Sequence, residues 1–277
     1  MNSFQKELGE AAKKCGVVLP SYDKDQRIET LNNKGCMDPN PDSISLEFIK
    51  FCGTARRKIN VLEIGPAYGN TAITISADQK FNGTYTVVDT SEDHINIIRE
   101  RYRAKHPNGR FMEYIVGSFP VCFQGVEPHR RYDAILMAHV LHFYQEDVLD
   151  AIQACYKLLK KGGRAYIIAK APYSIKYQSF IPVFEKRLKD KNCKFPGLVD
   201  NMAAFVNLAT VSKQKLKTLQ GCKFQFFDKD ILKKWFENVG FRTIFCQELS
   251  LNFVSDMWEA PQGYKGREEV GIIAEKS

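Results

Sequence analysis

Between about residues 57 and 172, short apolar runs alternate with stretches of helical periodicity, and that rhythm leaves the chain few possible folds. Residues 60–64, 84–88, 111–116, 132–137 and 164–169 read as strands. The period after the second strand carries Ile95, Ile98 and Tyr102 on one face, with Glu92 and Asp93 suited to its amino-terminal end. The period after the fourth carries Val148, Ile152, Cys155 and Leu159 and is expected to stop at Gly162-Gly163. Strands joined through helices at this spacing lie parallel, with right-handed crossovers and helices on both faces, a doubly wound α/β sheet. After Pro172 the rhythm breaks. Residues 173–222 read as two helices, the first carrying Tyr177, Ile181, Phe184 and Leu188 and kinked or shortened by Pro182. A helix at 228–238 and strands at 242–249 and 269–274 then resume the sheet pattern. Four regions follow: an N-terminal helical lid (1–56), a core (57–172), a helical insertion or cap (173–222) and the C-terminal part of the core (223–277).

Composition adds bounds. The 277 residues are 44% hydrophobic and 26% charged, which suits a globular enzyme and argues against large-scale disorder. A net charge of +8, with a pI near 9.0, allows attraction to acidic substrates, nucleic acid or an anionic surface, or merely serves solubility. No two of the eight cysteines form a C-x-x-C pair, so local zinc or iron–sulfur ligation has no support and no metal is expected. Residues 1–20 contain no secretory apolar core, and no run approaches the length of a membrane span. A cytoplasmic location follows as an expectation.

The chemistry-bearing segment is Val61-Leu62-Glu63-Ile64-Gly65-Pro66-Ala67-Tyr68-Gly69-Asn70, a buried strand running into a glycine-bearing turn that opens a helix. Glycines there let backbone approach a nucleotide-like ligand. Asp89 ends the next strand, twenty residues after Gly69, where an acid accepts hydrogen bonds from ribose hydroxyls. The pair points to a nucleoside ligand and leaves nicotinamide and S-adenosylmethionine both open.

The remaining motifs resemble the class I S-adenosylmethionine-dependent methyltransferase superfamily. Leu62 to Gly69 resembles its first motif, with Ala67 in place of the middle glycine and Pro66 stiffening the turn; Thr86-Val87-Val88-Asp89 resembles the second. Val116-Gly117-Ser118-Phe119-Pro120 is similar to the adenine-contacting loop, with Ser118 where an acid is common. Asp133 to His142 resembles the fourth-strand motif, and Leu158-Leu159-Lys160-Lys161-Gly162-Gly163 resembles the family's L-L-K-P-G-G. Phe227-Asp228 through Gly240-Phe241 resembles the step before the sixth strand. The resemblance covers about residues 56–172 and 225–277. It implies a seven-stranded, mostly parallel sheet whose last strand is antiparallel. It also implies S-adenosylmethionine as cofactor and S-adenosylhomocysteine as product. The methionine part would lie along Glu63, Gly65 and the Ala138–His139 backbone, with Pro66, Ala67, Gly69 and Gly117 also binding the cofactor. Asp89 would hold the ribose, and Thr90, Ser118 and Phe119 would flank the adenine.

A sulfonium methyl is already activated, so such a protein mainly aligns a nucleophile, which can supply roughly 7–11 kcal/mol without a dedicated acid or base. A hydroxyl or amine acceptor would gain from a nearby base. His139 and His142 follow the fourth strand, where open sheets place functional groups; either ring also suits packing or capping of the next helix. Tyr22, Tyr173 and Tyr177 are candidates for lining a substrate pocket and equally for packing. The segment lacks the N/D-P-P-Y/F pattern of enzymes acting on planar amide or base nitrogens. A small or lipid-like acceptor under the 173–222 cap is the first expectation. A protein or RNA acceptor docked on the basic rim from Lys186 to Lys217, a non-catalytic interaction module and a nicotinamide dehydrogenase are the alternatives.

Overall fold

The computed structural model describes residues 43–106, 112–125, 131–141, 144, 147–171, 227–250 and 267–277, with Glu10, Ala11, Lys13, Lys14 and Pro182. Its helices are α1 (Ser43–Thr54), α2 (Asn70–Ala77), α3 (Glu92–Lys105), α4 (Val148–Leu158) and α5 (Lys229–Val239). Its strands are β1 (Ile59–Ile64), β2 (Gly83–Asp89), β3 (Met112–Val116), β4 (Tyr132–Ala138), β5 (Leu159–Lys170), β6 (Phe241–Ser250) and β7 (Arg267–Lys276). They form one sheet of order β3-β2-β1-β4-β5-β7-β6. β1 to β5 run parallel to one another, and β7 runs antiparallel to both β5 and β6. The expected doubly wound, seven-stranded sheet is the observed one. No helix among the described residues is long and apolar enough to cross a membrane, and no group of metal-ligating side chains occurs among them.

Burial on both faces explains the near-continuous apolar runs of the central strands. On one face Leu62, Ile64, Ile135 and Ile167 pack with Ile152, Cys155 and Phe236. On the other, Val61, Tyr85, Leu136 and Tyr166 pack with Phe48, Ala72 and Ile95. The segment before β1, expected as a lid, therefore contributes to the core, because Ile44, Phe48 and Cys52 of α1 are buried against the sheet.

Local sequence sets the helix ends. Ser91 accepts from the His94 N–H at the start of α3, whose first turn is acidic and last turn basic, as the helix dipole favours. Asp228 caps α5 through the Asp230 and Ile231 amides. The end of α4 corrects the expectation. The helix stops at Leu158, and Gly162 and Gly163 lie within β5. Lys276 Nζ donates to the Tyr156 and Leu159 carbonyls at 2.7 and 2.9 Å, satisfying groups the helix end leaves open. Leu159 is then free to pair with Tyr132 and bury fully.

At the amino edge of the sheet, Asp133 is held by Arg57 at 2.7 Å, Lys160 at 2.7 Å and the Asn60 N–H at 2.8 Å. Burial raises its carboxyl pKa, but the Lys160 hydrogen bond, the Asn60 amide and the nearby cations outweigh this and hold it below the usual range. Asp133 thus serves the scaffold at the edge away from Asp89. Gly83 is also fixed by close approach: an added Cβ would overlap the Ile59 carbonyl oxygen and lie 2.8 Å from its carbon. Because backbone cannot swing aside, Gly83→Ala is expected to destabilise the fold by roughly 1–3 kcal/mol, read from urea unfolding.

Candidate active site at the carboxyl edge

The order of the strands reverses between β1 and β4, and in open α/β sheets the crevice outside the carboxyl ends at that point receives ligands. Backbone bonds carry the strand ends into it. The Gly65 N–H donates to Val88 O at 2.8 Å, Gly117 N–H to Asp89 O at 2.9 Å, and His139 N–H to Ile168 O at 2.9 Å. Gly65, Asp89, Gly117 and His139, drawn from four segments of the sequence, therefore share one edge.

The turn after β1 is left-handed at Gly65 (φ 65°), Ala67 (φ 49°) and Gly69 (φ 74°). Glycine adopts such angles without strain, whereas alanine does so rarely. Ala67 fills the place of the middle glycine yet keeps the backbone angle that the turn needs. The bare sides of the two glycines face the protein: Val140 packs directly over Gly65, and a Cβ on Gly69 would meet Ile98 Cγ1 at 2.7 Å. Pro66 is buried beneath the turn. Arg101 of α3 binds it from the side, donating to the Tyr68 carbonyl and, at 2.9 Å, to Asn70 Oδ1.

Asp89 ends β2 with its side chain only 10% exposed. Oδ1 accepts the Ser91 N–H at 2.9 Å, and Oδ2 lies 3.3 Å from His94 Nδ1. His94 in turn meets the Tyr68 ring edge-on at 5.4 Å. The carboxylate is oriented, and each oxygen keeps further acceptor capacity for a diol. His94, Tyr68 and Arg101 were missed from sequence; the signal for His94 was its place three residues beyond Ser91, in the first turn of α3. His94→Ala is expected to weaken binding of an adenosine ligand about 5-fold, the worth of one modest hydrogen bond, as measured by calorimetry.

The other expected residues fall in several environments. Thr90 and Ser118 are exposed, and Gly117 and Ala138 are half-buried at the same edge. Phe119 is 3% exposed, its ring packed against Phe123 and Tyr144 in the core beneath the loop. Glu63 is turned into the interior, where its carboxyl accepts the Tyr85 hydroxyl at 2.7 Å and the Ala72 N–H. Loss of hydration pushes its pKa up to about 7, and those two bonds offset part of that shift. Its strand parity explains the placement: Glu63 follows Val61 onto the face lined by α1 and α2. His139 sits at the end of β4 in the left-handed region (φ 56°), with Nδ1 3.3 Å from Glu269 Oε1. His142, Tyr22, Tyr173 and Tyr177 lie outside the described residues, as do residues 173–181 and 183–222 of the expected cap. A hollow lined by Phe51, Arg56, Arg57 and Ile59 opens at the opposite, amino edge.

The donor set at the carboxyl edge suits an adenosine-bearing sulfonium: an oriented carboxylate for the ribose, an exposed hydroxyl at Ser118 and backbone brought close by a tight turn.

Known proteins share this fold. A methyltransferase-domain family model matches residues 41–244, nearly three quarters of the chain. No curated protein is similar enough in sequence to match. Magnesium protoporphyrin IX methyltransferase from Synechocystis PCC 6803, solved with bound S-adenosylhomocysteine, has a TM-score of 0.56 at 11% identity, covering 99% of this chain and 100% of that one. A SAM-dependent methyltransferase from Methanosarcina mazei scores 0.54 at 14% identity, covering 87% and 99%. A chain from the Haloferax volcanii complex of the Trm112 methyltransferase activator with a methyltransferase scores 0.53 at 11%, covering 91% and 94%. At these identities the solved structures establish a shared fold. With the family match over most of its length, the chain belongs to the methyltransferase-domain family, and its sheet is the class I methyltransferase fold.

Proposed function

We propose that the protein transfers a methyl group to a small or lipid-like acceptor, with the adenosine of its cofactor seated at the crossing of β1 and β2. The observation that carries this reading is the meeting of the left-handed Gly65–Gly69 turn with the oriented, nearly buried Asp89 at one sheet edge. S-adenosylmethionine supplies an activated methyl on a sulfonium, so alignment is the main task left to the chain. Asp89 accepts the ribose hydroxyls. The backbone of Gly65, Pro66, Ala67 and Gly69 runs beside the methionine part, with Ala138 and His139 opposite. Thr90, Gly117 and Ser118 border the adenine, while Phe119 and Glu63 act from beneath, holding the loop and the turn. His139 and His142 are the candidate bases. Tyr22, Tyr173 and Tyr177, with the 173–222 segment, enclose the acceptor.

Two observations favour a small acceptor. The motif of enzymes acting on planar amide or base nitrogens is missing after β4. Magnesium protoporphyrin IX methyltransferase, named for a macrocyclic small molecule, aligns with this chain end to end. Incubating the protein with methyl-labelled cofactor and fractionated lysate tests the reading. Label in the low-molecular-mass or lipid fraction is expected; label confined to protein or RNA would shift the assignment to a macromolecular acceptor.

A further inference from the structure

The geometry points to Glu269 as the residue that positions His139 for proton removal, and hence to an acceptor whose attacking oxygen or nitrogen carries a proton. This deepens the proposed methyl transfer and rests on it. Glu269 lies near the start of β7, paired with Lys170 on one side and Leu249 on the other. Its side chain is only 3% exposed, and a carboxylate withdrawn from water that far requires hydrogen-bonding or charged neighbours. One such neighbour is His139, whose Nδ1 is 3.3 Å from Oε1.

The histidine is held in turn. Its backbone is left-handed, an uncommon state for a residue with a Cβ and one that persists where surroundings impose it. Its N–H closes the last bond to β5, and the next residue, Val140, is packed over Gly65 in the cofactor turn. The side chain is 40% exposed while Nδ1 is buried, so its exposure lies on its other atoms, among which is Nε2. Nδ1 and Oε1 approach to 3.3 Å without the alignment of a hydrogen bond; once a small turn of the ring lets Nδ1–H donate to Glu269, the neutral ring presents its lone pair on Nε2. As the acceptor's oxygen or nitrogen bonds to the methyl carbon and the carbon–sulfur electron pair returns to sulfur, the proton on the attacking atom passes to Nε2. The imidazolium so formed lies beside the Glu269 carboxyl group. Glu269 is therefore a positioning residue, acting through His139.

Nitrogen-15 NMR of the full chain labelled at histidine reads this directly, with His139→Gln assigning the signal. In the wild type the neutral His139 ring is expected to show a protonated Nδ1 and a bare Nε2. Glu269→Leu is expected to move the proton to Nε2, a change that a purely packing role would not produce. A wild-type ring already protonated at Nε2, or a tautomer indifferent to Glu269→Leu, overturns the proposal; if the variant does not fold, the wild-type signal alone decides. Calorimetry of S-adenosylhomocysteine on the wild type tests the cofactor site separately. Failure to bind there would sink the methyl-transfer reading, whatever the tautomer.

Discussion

Asp89→Ala is expected to lower affinity for S-adenosylhomocysteine by about 100-fold while leaving the fold in place. Each hydrogen bond to a charged acceptor is worth about 1.5–3 kcal/mol, and a ribose diol offers two. One strong bond or two weak ones thus account for the loss, since about 1.4 kcal/mol is a factor of ten. The carboxylate also receives the Ser91 N–H and faces His94 Nδ1, so part of the loss reflects disorder at the start of α3. Asp89→Asn separates the two effects. Its side-chain oxygen can still accept from Ser91, but it lacks the charge that strengthens the ribose bonds, so a substantial loss should remain. Calorimetry gives the affinities, and circular dichroism with thermal melting checks the fold. Affinity unchanged in Asp89→Ala would place the adenosine elsewhere.

Glu63→Gln is expected to remove a pH dependence of stability. The folded-state pKa of Glu63 is raised to about 7 from an ordinary 4.5, chiefly because burial strips the carboxylate of water. Between these values the folded protein holds a proton that the unfolded chain has released, so stability falls as pH rises through the window and is level above it. At 1.36 kcal/mol per unit, the loss is on the order of 3 kcal/mol. Glutamine is neutral throughout and keeps an oxygen to accept from Tyr85. The variant should therefore match the wild type near pH 4.5 and exceed it increasingly up to about pH 7. Urea midpoints at pH 5 and pH 8 measure the gap. Equal gaps at both would mean that Glu63 is ionised in the folded protein.

Most of the fold was legible because its signals are local. Alternating periods located β1 through β4 to within a residue or so, and Glu92, Asp93, Asp228 and Gly240 marked helix ends through signals spanning a few residues. The end of α4 was misread because its deciding partner, Lys276, comes from the far end of the chain. Gly162-Gly163 has the chemistry of a helix stop, but a long-range cap acted first. The site divides in the same way. The turn and Asp89 could be located because strand, turn and helix adjoin in sequence. Glu63 was assigned to the cofactor from its motif; in the structure its carboxyl accepts from Tyr85 and the Ala72 amide on the side of the sheet lined by α1 and α2. The pairing of His139 with Glu269 spans 130 residues and three strands of the sheet, and only the folded topology brings them together.

A crystal structure of the protein with S-adenosylhomocysteine tests the account most directly. The ligand is expected above Gly65 and Gly69, with both ribose hydroxyls within hydrogen-bond distance of Asp89 and the sulfur facing the ends of β4 and β5. Density for the ligand at another edge, or an unfilled crevice closed by Val140 at saturating ligand, would contradict it.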